Sequence, residues 1–254
     1  MSSPVQHEQA AAFFDGVSAT YRDKYGKRSP FHHYFFHERM EKATAGLDLA
    51  GKDVLDIGSG TGNLYDHIRG SHPDVRFFAT DVSAGMLAQS NVPVERRFVG
   101  HAYDHRFPVQ RFDAIFMLGV TTYLSPTELE RNLAFIARSL KPGGYAVITF
   151  SNKHGLDTWM RLLAEPFLRL LGRHDKVLGS GLRRYTHSLG GIRKALHPHL
   201  RIVRTDGLNH TVFPWGLLLP GASLRMARRL SAVKGTPAWL RFLSSDLLVR
   251  ATVH

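Results

Sequence analysis

Apolar positions along the chain switch repeatedly between a strand-like and a helix-like spacing, and the switching predicts strands and helices in turn. Val54, Leu55 and Ile57 form a short apolar run at 52–57 that suits a central parallel strand covered on both faces, with a helix over 64–70 behind it. Val75, Phe77, Phe78 and Thr80 predict a second strand at 75–80, and Ser83 is a fair N-cap for a helix over 84–90. Further strands are predicted at 94–99, 112–117, 145–150, 200–205 and 247–253. Between the fourth and fifth, Ser125-Pro126-Thr127-Glu128 has the capping-box pattern with proline at the first helical position. That helix runs to about residue 140, buries Leu129, Leu133, Ile136, Ala137 and Leu140, and stops at Lys141-Pro142-Gly143-Gly144.

The flanks read differently. Residues 10–47 look helical in two pieces, the first starting with Ala11, Phe13, Phe14 and Val17, with a basic break at 26–30 between them. After the fifth strand a helix over 154–173 presents a wide apolar face (Leu156, Trp159, Met160, Leu163, Phe167, Leu170, Leu171) and contains Pro166. A helix at 188–196 follows, then an apolar segment at 212–220 and a basic helix at 222–230. Strands alternating with helices predict an α/β architecture, a doubly wound sheet with a parallel core.

Composition narrows the chemistry. With 254 residues the chain has room for one α/β domain with additions, and without cysteine it has no disulfide, thiolate metal site or thiol nucleophile, which fits a reducing cytoplasm. The first dozen residues lack a basic region followed by an apolar core, so no secretory signal is read there, and no uncharged run approaches the roughly 20 residues needed to span a bilayer. The net charge is +12, and its distribution is uneven. Residues 1–150 carry 16 Lys+Arg and 16 Asp+Glu, whereas residues 151–254 carry 17 and 5. A field of that sign would draw an anionic membrane surface, an acidic carrier protein, nucleic acid or an anionic substrate, or it is simply a solvated arginine-rich face.

The chemistry starts where the first strand ends. Gly58, Gly60 and Gly62 give a turn with almost no side-chain bulk, so that backbone N–H groups at the next helix can approach a ligand. A dinucleotide fingerprint needs its third glycine one residue later, where Asn63 stands. Asp56, just ahead of the turn, would repel a pyrophosphate and suits a cationic ligand. The stretch Val54 to Leu64 resembles motif I of the class I S-adenosylmethionine (SAM) methyltransferases. The resemblance continues in order through Asp81-Val82-Ser83-Ala84-Gly85-Met86-Leu87, then Arg111-Phe112-Asp113-Ala114-Ile115, then Leu140-Lys141-Pro142-Gly143-Gly144 and the strand after it, covering about residues 52–151.

That resemblance implies a Rossmann-like sheet of seven strands with an antiparallel last strand, an N-terminal helical cap and an insertion after the fifth strand. It divides the single domain into a cap (1–50), a SAM-binding core (51–151), a substrate-side insertion (152–198) and C-terminal strands with the apolar and basic segment (199–254). It also implies that Asp56, Gly58, Ser59, Gly60, Thr61 and Gly62 seat the methionine part of SAM, and that Asp81, with Val82 and Met86, holds the ribose. Asp81 follows Asp56 by 25 residues, the distance at which a βαβ unit brings an acidic side chain to the end of its second strand. His101 and Ala102 stand where relatives place an adenine-binding Gly-Asp-Ala, a departure at His101, and Leu118 and Gly119 follow the fourth strand. Tyr21, Tyr123 and Trp215 are implied to line the acceptor pocket.

Methyl transfer from a sulfonium mainly needs alignment of nucleophile and methyl, so no fixed catalytic signature is expected. His154, His187 and His210 are the candidate bases for O-methylation, because their segments would sit above the strand ends. The i,i+4 pairs His33/His37 and His101/His105 lack a third ligand, so no metal is expected. The Asn/Asp-Pro-Pro-aromatic signature of DNA and protein amide methylation is missing, since Leu118-Gly119-Val120-Thr121 stands in its place. The expected activity is methylation of a small, hydrophobic acceptor in secondary-metabolite, quinone or lipid biosynthesis, at oxygen first, with nitrogen or carbon as alternatives. An RNA-binding methyltransferase or a non-catalytic SAM-fold module is the rival of another class; nucleic acid is disfavoured because neither stacking aromatics nor an appended RNA-binding domain is visible. A cytoplasmic protein, peripheral to a membrane through its basic last third, is the expected setting.

Overall fold

The computed structural model describes residues 4–24, 30–170, 182–233 and 237–254. Seven strands form one sheet in the order β3-β2-β1-β4-β5-β7-β6. They are β1 (Asp53–Ile57), β2 (Arg76–Asp81), β3 (Arg97–Val99), β4 (Phe112–Met117), β5 (Leu140–Ser151), β6 (Arg201–Leu208) and β7 (Asp246–Thr252). β1 to β5 run parallel, and β7 enters antiparallel between β5 and β6. The doubly wound sheet with its antiparallel last strand is the architecture that the motif order implies. β1 is buried along its whole length, the apolar Val54, Leu55 and Ile57 and, with them, Asp53 and Asp56.

Helices cover both faces. α1 (Pro4–Lys24) and α2 (Pro30–Thr44) precede the sheet; the break expected at 26–30 lies outside the described residues except for Pro30, which begins α2. α3 (Asn63–Ser71), α4 (Ala84–Ala88) and α5 (Pro126–Ser139) are the core crossovers. The capping box of α5 is complete: Ser125 Oγ accepts from the Glu128 N–H at 3.3 Å and Glu128 Oε2 accepts from the Ser125 N–H at 2.7 Å. Beyond β5 come α6 (Leu156–Leu170), α7 (Leu189–Leu196), α8 (Trp215–Leu218), α9 (Pro220–Ser231) and α10 (Ala238–Leu243).

Three expectations are corrected. The third strand is only Arg97–Val99, because Pro93 opens a 3₁₀ turn over Val94–Arg96. Lys141 to Gly144 is not a separate turn: β5 starts at Leu140 opposite Phe112, the chain bulges, and pairing resumes at Tyr145 opposite Ala114. The helix expected at 154–173 is Leu156–Leu170 within the described residues, and part of its apolar face is turned outward. Trp159, Leu162 and Leu163 are all exposed on α6, and residues 171–173 lie outside the described residues.

Two cores result, one per face of the sheet. α5 and α7 pack on one, around Ile115, Phe112, Leu133 and Ile192; α2 and α3 pack on the other, around Val54, Phe77, Phe116 and Ile68. This leaves the C-terminal ends of β1, β2, β4 and β5 facing the N-terminal and C-terminal helices, which is where an α/β sheet binds its ligands.

Candidate active site

The glycine turn is built from both sides. Gly58, Gly60 and Gly62 all have positive φ (71°, 56° and 77°), a conformation that side chains rarely adopt. Space also demands Gly58, where a Cβ would sit 2.2 Å from Val120 Cγ2, and Gly62, where it would sit 2.1 Å from Ser90 Oγ. The Gly58 and Ser59 N–H groups donate to the Thr80 carbonyl at 2.8 and 3.0 Å, hanging the turn from the end of β2. Asp81 completes the frame: Oδ2 accepts from the Gly60 N–H at 2.7 Å and Oδ1 from the Ser83 N–H at 2.9 Å.

Asp56 is buried at the end of β1. Burial pushes its carboxyl up to about 8, the nearby Asp81 adds to the rise, and the Ser59 hydroxyl acts against it. Asp81 is raised as well, chiefly by burial, with the Ser83 and Gly60 N–H groups opposing. Burial disfavours the charge on both carboxyls, and a positively charged ligand beside them would relieve that cost.

Asp56, Gly58, Ser59, Gly60, Thr61, Asp81, Val82, Met86, His101, Ala102, Leu118 and Gly119 all line one cavity of about 2330 Å³. Gly62 does not; it is the N-cap of α3, packed on Ser90. His101 stacks on Tyr103 with ring centroids 4.7 Å apart, while His105 meets Phe98 and Phe107, so the i,i+4 pair is split between two surroundings. The buried Thr80 hydroxyl, in the same wall, has no hydrogen-bond partner. The bare glycine cradle, the unpartnered hydroxyl and the two carboxyls together fit SAM, with its sulfonium, ammonium and ribose hydroxyls.

The first helix straps this seat. Asp15 Oδ1 accepts from Ser83 Oγ at 2.6 Å and from the Gly85 N–H at 2.8 Å; two helical turns later, Arg22 Nη2 donates to the Thr61 carbonyl at 2.6 Å and pairs with Asp66 at 3.3 Å. Phe14 packs edge-on against both Tyr21 and Tyr123, and all three rings line the cavity.

Past Gly119 the cavity changes character. The Arg39 guanidinium lies beside Gly119, where a Cβ would come within 2.6 Å of Nη1, stacks over Phe35 and reaches Asp246 at 3.9 Å. Asp246 starts β7 and accepts from Ser151 Oγ at 3.1 Å. Burial raises its carboxyl, with Arg39 and Ser151 opposing and Asp157 adding to the rise. Asp157 is held by the Phe213 N–H at 2.8 Å and by Arg161 Nε at 2.7 Å. Phe13, Phe31, Phe35, Phe36 and Phe213 supply much of the apolar wall.

The three histidines separate. His154 lines the mouth, its backbone N–H held by Asn152 Oδ1 at 3.1 Å. His187 sits behind the wall, against Phe150 at 5.2 Å, with burial lowering its pKa; its neighbour Thr186 lines the cavity instead. His210 is buried away from the cavity, 4.0 Å from Glu38, and burial lowers it to about 4, so it stays neutral near pH 7. Trp215 points outward at 55% exposure, and Gly216, against Phe31, takes the place in the wall. Asp15, Arg22, Arg39, Asp157 and Asp246 escaped the sequence reading. Two signals were present: Asp15 and Arg22 share a face of the first helix at i,i+7, and Asp246 is the sole acid after residue 206.

Residues 54–144 match a family model described as a methyltransferase domain. An uncharacterized protein of Synechococcus sp. is 33% identical over 99 residues, a stretch covering 36% of this chain and 23% of that protein, so the match spans about a quarter of that relative's length. Two solved structures resemble the whole chain. One is magnesium protoporphyrin IX methyltransferase from Synechocystis with bound S-adenosylhomocysteine, at TM-score 0.63 and 15% identity, covering 98% of this chain and 100% of that one. The other is geranyl diphosphate C-methyltransferase from Streptomyces coelicolor, at TM-score 0.62 and 16% identity, covering 100% and 99%. Residues 54–144 thus match a methyltransferase-domain family model, and the chain as a whole shares the Rossmann-like fold of these SAM-dependent methyltransferase structures.

Proposed function

We propose that this protein is a SAM-dependent methyltransferase that methylates a small, largely apolar acceptor at oxygen. One observation carries the reading: a glycine turn framed by Asp56 and Asp81 opens into the same cavity as an aromatic-walled compartment, with Arg39 and Asp246 at the junction. The bound forms and names of the two structural neighbours, one handling a porphyrin and one a geranyl chain, support SAM and an apolar acceptor.

When bound, SAM supplies an electrophilic methyl on a sulfonium. The chain's own work is then placement and proton handling. Asp56 and the glycine turn hold the cationic end, Asp81 offers its remaining lone pairs to the ribose, and α1 closes over both. Arg39, beside Gly119, orients the acceptor head and favours its anionic form, while the phenylalanines hold its apolar body. Asp246 is the candidate base, because burial keeps its proton affinity above that of an ordinary carboxyl.

The test is transfer of labelled methyl from SAM to a panel of apolar phenols and carboxylic acids. Label on acceptor oxygen, lost in Asp246→Asn while S-adenosylhomocysteine still binds, is the expected result. Label on nitrogen or carbon, or undiminished transfer by Asp246→Asn, would overturn the oxygen assignment or the base respectively.

A further inference from the structure

The helices beyond β5 expose an unusual surface. Among the described residues, every large exposed Leu, Met, Phe and Trp lies between 159 and 242, together with Val203 on the sheet edge and Val233; outside those bounds only Val94, Val99, Val109 and Tyr145 are exposed in the same way. All three tryptophans of the chain are in this set, Trp159 at 50%, Trp215 at 55% and Trp239 at 53% exposure. Leu162, Leu163, Leu218 and Leu219 are exposed beside them. A soluble monomer rarely leaves so many large apolar side chains in neighbouring elements uncovered.

These elements are connected. Asp157 of α6 holds the Phe213 N–H, and Arg161 of α6 lies over the Phe213 ring at 5.4 Å, just ahead of α8. α8 packs on α9, and α6 packs on α10. The cavity opens among them, since Trp159 and Leu162 are both part of its wall and exposed.

The segment that carries α8 to α10 is basic, whereas α6 is balanced, with Asp157 and Glu165 against two arginines. From residue 207 to 245 the sequence contains no Asp or Glu, and Arg225, Arg228 and Arg229 of α9 are exposed. Exposed indoles and leucines interleaved with arginines, in short amphipathic helices, suit the interface of an anionic bilayer, where apolar side chains enter the acyl boundary and basic ones meet phosphate. A second copy of this chain suits it poorly, because a two-fold contact would set arginine against arginine.

We propose that α6 and α8 to α10 form a docking surface for an anionic phospholipid bilayer, with the mouth of the cavity facing the lipid. The inference concerns where the protein sits, and vesicle binding tests it without SAM or an acceptor. Its failure would therefore leave the methyl-transfer reading intact.

The experiment is cosedimentation with phosphatidylcholine vesicles and with vesicles containing about 30% phosphatidylglycerol, with tryptophan emission read in parallel. The expected result is binding to the anionic vesicles alone, a blue shift of the emission, and release at about 0.5 M salt, where the Debye length shrinks to roughly 4 Å. Arg225→Glu combined with Arg229→Glu is expected to weaken binding more than about tenfold, since each basic side chain lost near such a surface costs roughly fivefold. Trp215→Ser combined with Leu218→Ser is expected to weaken it without changing the salt slope. All four side chains are exposed, and an unchanged thermal transition verifies folding. Equal binding to both vesicles, no binding to either at low salt, binding of polyglutamate in place of vesicles, or a salt-stable dimer with buried tryptophans would each overturn the proposal.

Discussion

The Gly60 N–H and the Asp81 carboxylate are joined by a hydrogen bond of 2.7 Å, so the acid at the end of β2 is also a structural member of the glycine turn at the end of β1. A residue that resemblance assigns to ribose thus has a second role in the free protein, preparing the shape of the seat. Affinity and local order should therefore be lost together when it is removed.

For Asp81→Ala, two hydrogen bonds from backbone N–H groups to a charged acceptor disappear, each worth about 1.5–3 kcal/mol when made to an ionised group. S-adenosylhomocysteine affinity is expected to fall about a hundredfold or more, and amide exchange at Gly60 and Ser83 to accelerate. Unchanged calorimetric affinity would contradict the assignment of Asp81.

Gly58→Ala meets two obstacles, the positive φ and the Val120 methyl group. Backbone strain alone is worth about 1–3 kcal/mol. Denaturant titration should show at least that loss, and adding Val120→Ala should recover only the steric part. Full recovery in the double variant would mean that φ is unimportant there.

Asp56 makes stability depend on pH in a direction that can be worked out. An unfolded aspartate titrates near 3.9, and burial raises the folded value to about 8. Between roughly pH 4 and 8 the folded state therefore binds more protons than the unfolded one, and the Asp56 contribution to stability falls as pH rises through that window. Asp56→Asn is expected to flatten this slope for the free protein and to weaken binding of SAM at alkaline pH, where the wild-type carboxylate meets a cation. Denaturant midpoints across this range, and calorimetry at its upper end, check both; an unchanged slope in the variant would refute the attribution.

The strap formed by Asp15 and Arg22 should govern retention of the cofactor. Asp15→Ala removes the contacts to Ser83 and Gly85 without touching the seat itself. Faster release of S-adenosylhomocysteine, by about tenfold for two lost hydrogen bonds of ordinary strength, is expected with little change in association. Stopped-flow displacement reads it directly, and an unaltered release rate would show that α1 is not a lid.

The core was legible because its elements announce themselves locally. β1 reads as an apolar run, α5 as a complete capping box, and the turn as three glycines flanked by Asp56 and Asp81. What escaped was set by partners distant in sequence. His210 looked like a candidate base and is instead buried beside Glu38, 172 residues earlier in the chain. Asp246 meets Ser151 and Arg39 only because β7 inserts antiparallel beside β5. The apolar face of α6 was visible as a pattern, but a pattern does not say what covers it, and here Trp159 and Leu163 face outward.

The central claim is that the glycine turn, Asp56 and Asp81 form a SAM seat. Calorimetric titration of the purified protein with S-adenosylhomocysteine tests it most directly, with Gly60→Val as the paired control because a branched side chain at its positive φ would push into Met86 and the cavity. Saturable one-to-one binding to the wild type, abolished in the variant while its fold persists by circular dichroism, is the result the account requires. No heat of binding to the folded wild type, or equal binding to both proteins, would contradict it.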